Sequence, residues 1–161
     1  MTGKRIVQRG LYFEEFDEDA VYVHSPGRTV SEADNVFFTT LTMNTQSLHL
    51  DAEWSRSTEF GERLINSMFT LSTLVGTSVA QLTQGTIVAN LGFSEVRFPH
   101  PMRAGDTMYS ETRVLSKRLS SSRPGQGILE FEHTARNQHG DVVAVAVRST
   151  LMLCLPKEAA E

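Results

Sequence analysis

The sequence predicts an α+β fold in which an antiparallel sheet wraps around one long buried helix. Three observations carry that expectation. The stretch "NSMFTLSTLVGTSVAQLTQGT", residues 66–86, is apolar around nearly the whole helical wheel, which leaves a helix no solvent face. Four long segments rich in β-branched residues follow it, separated by proline, glycine and asparagine breaks. A shorter helix with a clear start signal precedes it. Elements ordered in this way favour a sheet packed on helices over alternating βαβ units.

Taken in chain order, residues 1–10 and the tail from 156 to 161 read as loosely ordered ends of a single domain covering residues 1–161. "VYVH", residues 21–24, is a short strand and "SPG" after it a turn. In "SEADNVFFTTLT" Ser31 can cap a helix, with Asp34 three residues on in the capping-box position. Val36, Phe37 and Leu41 are expected to form that helix's buried stripe. The helix should end near Thr42, which puts "MNTQSLH" in the loop behind it. "DAEWSRSTEFGERL" reads as surface. The segments 86–98, 106–119, 127–138 and 141–155 are then strands, expected to run as a meander; a flat sheet with both helices on one face also satisfies the pattern.

Composition excludes several function classes. With 19 acidic against 15 basic residues the net charge is −4, so no basic excess points to nucleic acid, and no basic amphipathic helix points to a membrane. No run approaches the roughly 20 apolar residues of a spanning helix, and the first residues lack an apolar leader. A cytoplasmic location is the resulting expectation. Cys154 is the only cysteine, so no intrachain disulfide forms. His24, His100, His133 and His139 lack the spacing of a metal site. Neither a metal nor a separate cofactor is expected.

The segment "TVSEADNVFFTTLTMNTQSLHLD", residues 29–51, resembles without gaps the signature of the MaoC-like, R-specific enoyl-CoA hydratases. Ala33, Asp34, Phe38, His49 and Asp51 fall in register. "FGERLINSMFTLS", "VRFPHPMRAGDTM" and "NQHGDVVA" resemble three further motifs of that family in the same order, so that the resemblance spans roughly residues 11–153. It implies a hot-dog fold and a homodimer, or a dimer-based higher oligomer, with active sites at the interface. It also implies an acyl-CoA thioester substrate that gains or loses water, coenzyme A being part of that substrate. The sequence departs from the signature at Asn44, where the family has its catalytic aspartate, at Gln46 and Ser47 for asparagine and proline, and at Ser67 for glycine. With these changes "LTMNTQSLHLD" is most similar to the mesaconyl-CoA and methylmalyl-CoA hydratase branch.

Hydrating a 2-enoyl thioester needs a base for the attacking water, a proton for C2 and donors for the enolate-like oxygen. His49 suits the first role, because imidazole titrates near neutrality. Asn44 does not titrate; it either positions the water or ring through its amide or simply ends the preceding helix. Gln46 supports the same loop. Asp51 either orients the ring or caps the next short helix. The resemblance places the thioester oxygen near the backbone N–H groups of Ser67 and Met68 at the start of the buried helix, within reach of Ser72. The polar set Asn44–Ser47 suggests an acyl group with a branch or second carboxylate, for which Arg28, Arg63, Arg97 and Arg103 are candidate partners. Lys117, Arg118 and Arg123 either meet the phosphates of CoA or form a solvated strand end. A thioesterase and a non-catalytic acyl-CoA-binding protein are the competing readings. The missing carboxylate at Asn44 favours the latter, and the retained His49 opposes it.

Overall fold

The computed structural model describes residue 3 and residues 5–156; the expectation for 157–161 lies outside the described residues. After a 3-10 turn at Phe13–Glu15, the elements are β1 (Val21–Thr29), α1 (Glu32–Leu41), α2 (Ser47–Leu50), α3 (Ala52–Arg56) and α4 (Ser67–Leu82). The strands β2 (Ile87–Arg97), β3 (Thr107–Leu119), β4 (Gln126–Arg136) and β5 (Val142–Leu153) complete the chain. All pairings are antiparallel, in the order β1-β3-β4-β5-β2. This is the hot-dog arrangement, with α4 laid on the sheet's inner face.

The meander expectation holds only for β3, β4 and β5. Strand β2 pairs with β5 rather than with its neighbour in sequence, and β1 takes the opposite edge beside β3. The physical reason is written in β5, whose residues 143–148 are buried consecutively on both faces. A strand with no solvent face belongs inside a sheet with a neighbour on each side. Strand β1 also runs past the expected turn at "SPG": pairing with β3 resumes at Arg28 after a register shift, so the proline sits in a bulge on an edge strand where no ladder donor is lost.

Helix α1 starts where the capping residues predict. Ser31 Oγ accepts from the Asp34 N–H at 3.1 Å, and Asp34 Oδ2 accepts from the Ser31 N–H at 2.8 Å. The Ser31 hydroxyl, which also donates to Asp34 Oδ2 at 2.7 Å, and the Ser31 N–H, with Arg28 beside them, hold the Asp34 carboxyl below the usual carboxylate range. The buried face, however, is not the expected one. Asn35 and Thr39 are buried, whereas Val36, Phe37 and Leu41 are exposed, Phe37 by 71%. Helix α4 is likewise open along one side: Leu74, Ser78 and Leu82 are buried, but Met68, Ser72, Gly76 and Ala80 are exposed. The core forms two clusters, one around Val30, Ile65, Leu74 and Met108 and one around Phe13, Leu82, Leu129 and Phe131. In the second, the approach of the Phe13 ring leaves no room for a side chain at Gly127.

A polar band crosses the sheet beneath α4. Thr112 Oγ1 lies 2.7 Å from both His24 Nε2 and His133 Nδ1, and His24 Nδ1 is 2.8 Å from Gln81 Oε1. One hydroxyl proton serves two rings, so Thr112 donates to one and accepts from the other. Burial, reinforced by the nearby Arg148 and His24, pushes His133 down to about 3. Burial likewise lowers Arg148 to about 10; its guanidinium stands 5.9 Å from the Phe131 ring.

Candidate active site

The segment carrying His49 is not the open loop expected. It forms the one-turn helix α2, held between the end of α1 and the chain entering α4. The Asn44 N–H donates to Thr39 O at 3.0 Å, and Asn44 Oδ1 accepts from the Gln46 N–H at 2.9 Å. Gln46 then starts α2, its carbonyl accepting from the His49 N–H at 3.0 Å. Asn44 is therefore a turn-closing residue that sets the start of the helix bearing His49.

The His49 ring is fixed by a backbone carbonyl and not by Asp51. Its Nδ1 lies 2.9 Å from Leu64 O. A carbonyl only accepts, so Nδ1 carries the proton and Nε2 is left with the free lone pair. Asp51 ends α2 and caps α3, with Oδ1 accepting from the Trp54 N–H at 2.9 Å. Of the two roles open to it, capping is the one this geometry shows.

Behind the ring stands Asn35, which sequence reasoning missed. It is 2% exposed, and Nδ2 donates to His49 O at 3.2 Å and to Leu64 O at 3.1 Å. Its Oδ1 accepts from the Asn66 N–H at 2.8 Å. Asn66 caps α4 through Oδ1, 2.9 Å from the Met68 N–H, and donates to Thr39 Oγ1 at 3.2 Å. One buried amide thus ties together α1, the segment bearing His49 and the head of α4. The available signal was Asn35 and Thr39 four apart on a helix, an i,i+4 polar pair among apolar neighbours.

His49 and Ser67 line one cavity of about 430 Å³, with Thr70, His100 and mostly apolar walls around them. The Ser67 N–H has no acceptor among the described residues and lies in the first turn of α4, where the helix dipole favours developing negative charge. The structure does not bring the other expected groups to this cavity. The Met68 amide is taken by Asn66, Met68 as a residue is 48% exposed, and Ser72 lies on the open side of α4. Gln46 is exposed, and its part is that of the residue preceding α2.

All four candidate arginines hold carboxylates: Arg28 with Asp34, Arg63 with Glu32, Arg97 with Glu95, Arg103 with Glu62. Lys117 donates to Phe16 O at 2.8 Å and lies over the Phe13 ring, a packing role at the other end of the molecule. His139 sits in the β4–β5 hairpin. Among the described residues no group of His, Cys, Asp and Glu has the arrangement of a metal site. No helix among them is long and apolar enough to cross a membrane.

With this geometry in place, residues 15–137 match the family model described as the MaoC like domain. The chain belongs to the MaoC-like family. Its curated relatives include the mesaconyl-CoA hydratase of Haloarcula marismortui, 28% identical over 91% of this chain but only 40% of the relative. The (R)-specific enoyl-CoA hydratase of Rhodospirillum rubrum is 27% identical, over 76% of this chain and 89% of that one. Among solved structures, one titled monoamine oxidase regulatory protein, from Archaeoglobus, superposes with a TM-score of 0.83 at 29% identity. That match covers 94% of this MaoC-like chain and 100% of the other. The chain spans about two fifths of the length of the mesaconyl-CoA hydratases it matches.

Proposed function

We propose that this MaoC-like chain is an acyl-CoA hydratase/dehydratase, adding or removing water across the C2–C3 bond of a 2-enoyl-CoA thioester. One observation carries the reading. His49, its tautomer set by Leu64 O, keeps a free Nε2 in a residue lining the same apolar cavity as the unpaired Ser67 amide at a helix N-terminus. The relatives named as hydratases of CoA thioesters support it.

In the hydration direction, Nε2 takes a proton from water as its oxygen bonds to C3. The C2–C3 π pair shifts toward the thioester, and the resulting enolate-like oxygen is held by the Ser67 N–H. The imidazolium then returns a proton to C2. One residue serves both transfers, and water is consumed whole. The apolar walls strengthen the Ser67 hydrogen bond by excluding competing solvent. Asn44 acts as a positioning residue through the turn that starts α2. No cofactor is needed beyond the coenzyme A of the substrate.

The site is read as belonging to a homodimer. Strand β2 is a sheet edge whose Val88, Leu91 and Phe93 are exposed, an unpaired edge suited to continuing the sheet into a second copy. Sedimentation should give a dimer or larger species at micromolar concentration, and a stable monomer would sink this assignment. The activity is tested by incubating the protein with crotonyl-CoA and mesaconyl-CoA. Loss of enoyl absorbance without thiol release is expected. Thiol release would instead make it a thioesterase, and neither change would leave acyl-CoA binding alone.

A further inference from the structure

Apart from His49, the cavity's lining contains one other side chain able to carry charge, His100. Its Nδ1 lies 3.1 Å from Val142 O, which again fixes the proton on Nδ1 and leaves Nε2 free. His100 and its neighbour Pro101 are also walls of a second, polar cleft of about 350 Å³, which Arg103 lines. The two spaces therefore adjoin at His100.

Arg103 differs from the other three arginines considered for a substrate carboxylate. Of the four, and among the described residues, Arg103 lines a cleft sharing walls with the His49 cavity; Arg28 and Arg63 line separate grooves, and Arg97 is exposed on β2. Its Nη1 is committed to Glu62 and to Phe60 O, and Phe60 is itself a cavity wall. Its Nε and Nη2 donate to no acceptor among the described residues. Those two N–H groups form the side of the guanidinium that matches a carboxylate.

We propose that His100 and Arg103 form a specificity subsite for a second carboxylate on the acyl group, at the rim where the apolar cavity opens into the polar cleft. The inference rests on the hydratase reading above and names the substrate class of that site: a short dicarboxylic enoyl thioester. The acyl carbons lie against the apolar walls near His49, while the distal carboxylate accepts from Arg103 and from His100 Nε2, which takes up a proton as the carboxylate docks because an adjacent opposite charge favours the imidazolium. An exposed carboxylate at an apolar wall would otherwise lose its water without compensation. Two charge-assisted hydrogen bonds supply that compensation.

The test compares kcat/KM for mesaconyl-CoA, which has the second carboxylate, with that for crotonyl-CoA, which lacks it. Both carry the same coenzyme A, so their ratio separates the acyl carboxylate from the CoA phosphates. Wild-type protein should turn over mesaconyl-CoA. The variants His100→Gln and Arg103→Met should each lower the mesaconyl-to-crotonyl ratio by roughly tenfold or more, the scale of one lost hydrogen bond to a charged group. Arg103→Lys, which keeps the charge but loses the fork, should fall between. If both substrates decline together, or the ratio stays within about threefold in every variant, the subsite is overturned while the hydratase reading stands. Wild-type turnover of crotonyl-CoA alone also overturns it. If the wild type hydrates neither substrate, both readings fall.

Discussion

Asn35 Nδ2 and His49 Nδ1 donate to the same acceptor, the Leu64 carbonyl, at 3.1 and 2.9 Å. The amide that braces the segment bearing His49 thus shares an oxygen with the proposed base. Asn35→Asp places an acceptor where two carbonyls need a donor, and it should cost stability as well as activity. Leaving His49 O without its side-chain donor costs about 1–3 kcal/mol, whereas Leu64 O keeps the His49 ring as a donor. Urea denaturation should show the midpoint falling, and turnover should fall further in Asn35→Asp than in Asn35→Ala. Native stability and turnover in Asn35→Asp would refute this account of the hub.

His49→Ala should reduce turnover by roughly a hundred- to ten-thousand-fold, the usual contribution of a positioned base. Folding should be retained, since the ring makes one side-chain hydrogen bond. Steady-state assay alongside far-UV circular dichroism checks both halves of the statement. A folded variant with near-normal turnover would move the base elsewhere, with Asp34 and Asp51 the first residues to examine.

Asn44→Ala should cost less than His49→Ala, because it removes only the acceptor for the Gln46 N–H. Asn44→Asp keeps that acceptor and adds a carboxylate at the position where the family signature has one. It should retain or raise activity on simple enoyl thioesters and alter the pH–rate profile. A merely structural role would leave the profile's shape unchanged in both variants. Abolished turnover in Asn44→Ala with intact folding would reverse the roles assigned here.

The buried histidines should make the fold less stable in acid. His133 is held at about 3 when folded, against roughly 6.5 for an unperturbed histidine. Above pH 6.5 the ring is neutral in both states. As pH falls below that value the unfolded chain binds the proton and the folded chain resists it, so stability declines steadily toward pH 3. His24, lowered by burial against the opposing hydrogen bond from Gln81, acts in the same direction. Denaturation midpoints measured between pH 7 and 4 should fall for the wild type. His133→Gln should show a shallower slope whatever its absolute stability, and an unchanged slope would exclude His133 as the source.

The capping box at Ser31, the position of α4 and the four strands after it were legible in the sequence, because local chemistry sets them. Caps act over three residues, and strand periodicity needs only a dozen. The family register likewise marked His49, Ser67 and Asp51 without any structure. What lay beyond reach was decided by contacts between distant segments. The sequence assigned Val36, Phe37 and Leu41 to the core because apolar residues are usually inside. The fold instead turned Asn35 and Thr39 inward, since two carbonyls and an amide from residues 49–66 needed hydrogen-bonding partners there. The tautomer of His49 depends on a carbonyl 15 residues away, and the capture of the Met68 amide depends on the conformation of Asn66. The strand order was set by burial of β5 on both faces. Sequence determined the cap of α1, the place of α4 and the four strands after it, and marked His49 as the candidate base; tertiary structure decided which nitrogen of that residue is free, because hydrogen-bond satisfaction of buried backbone is settled only when the chain is packed.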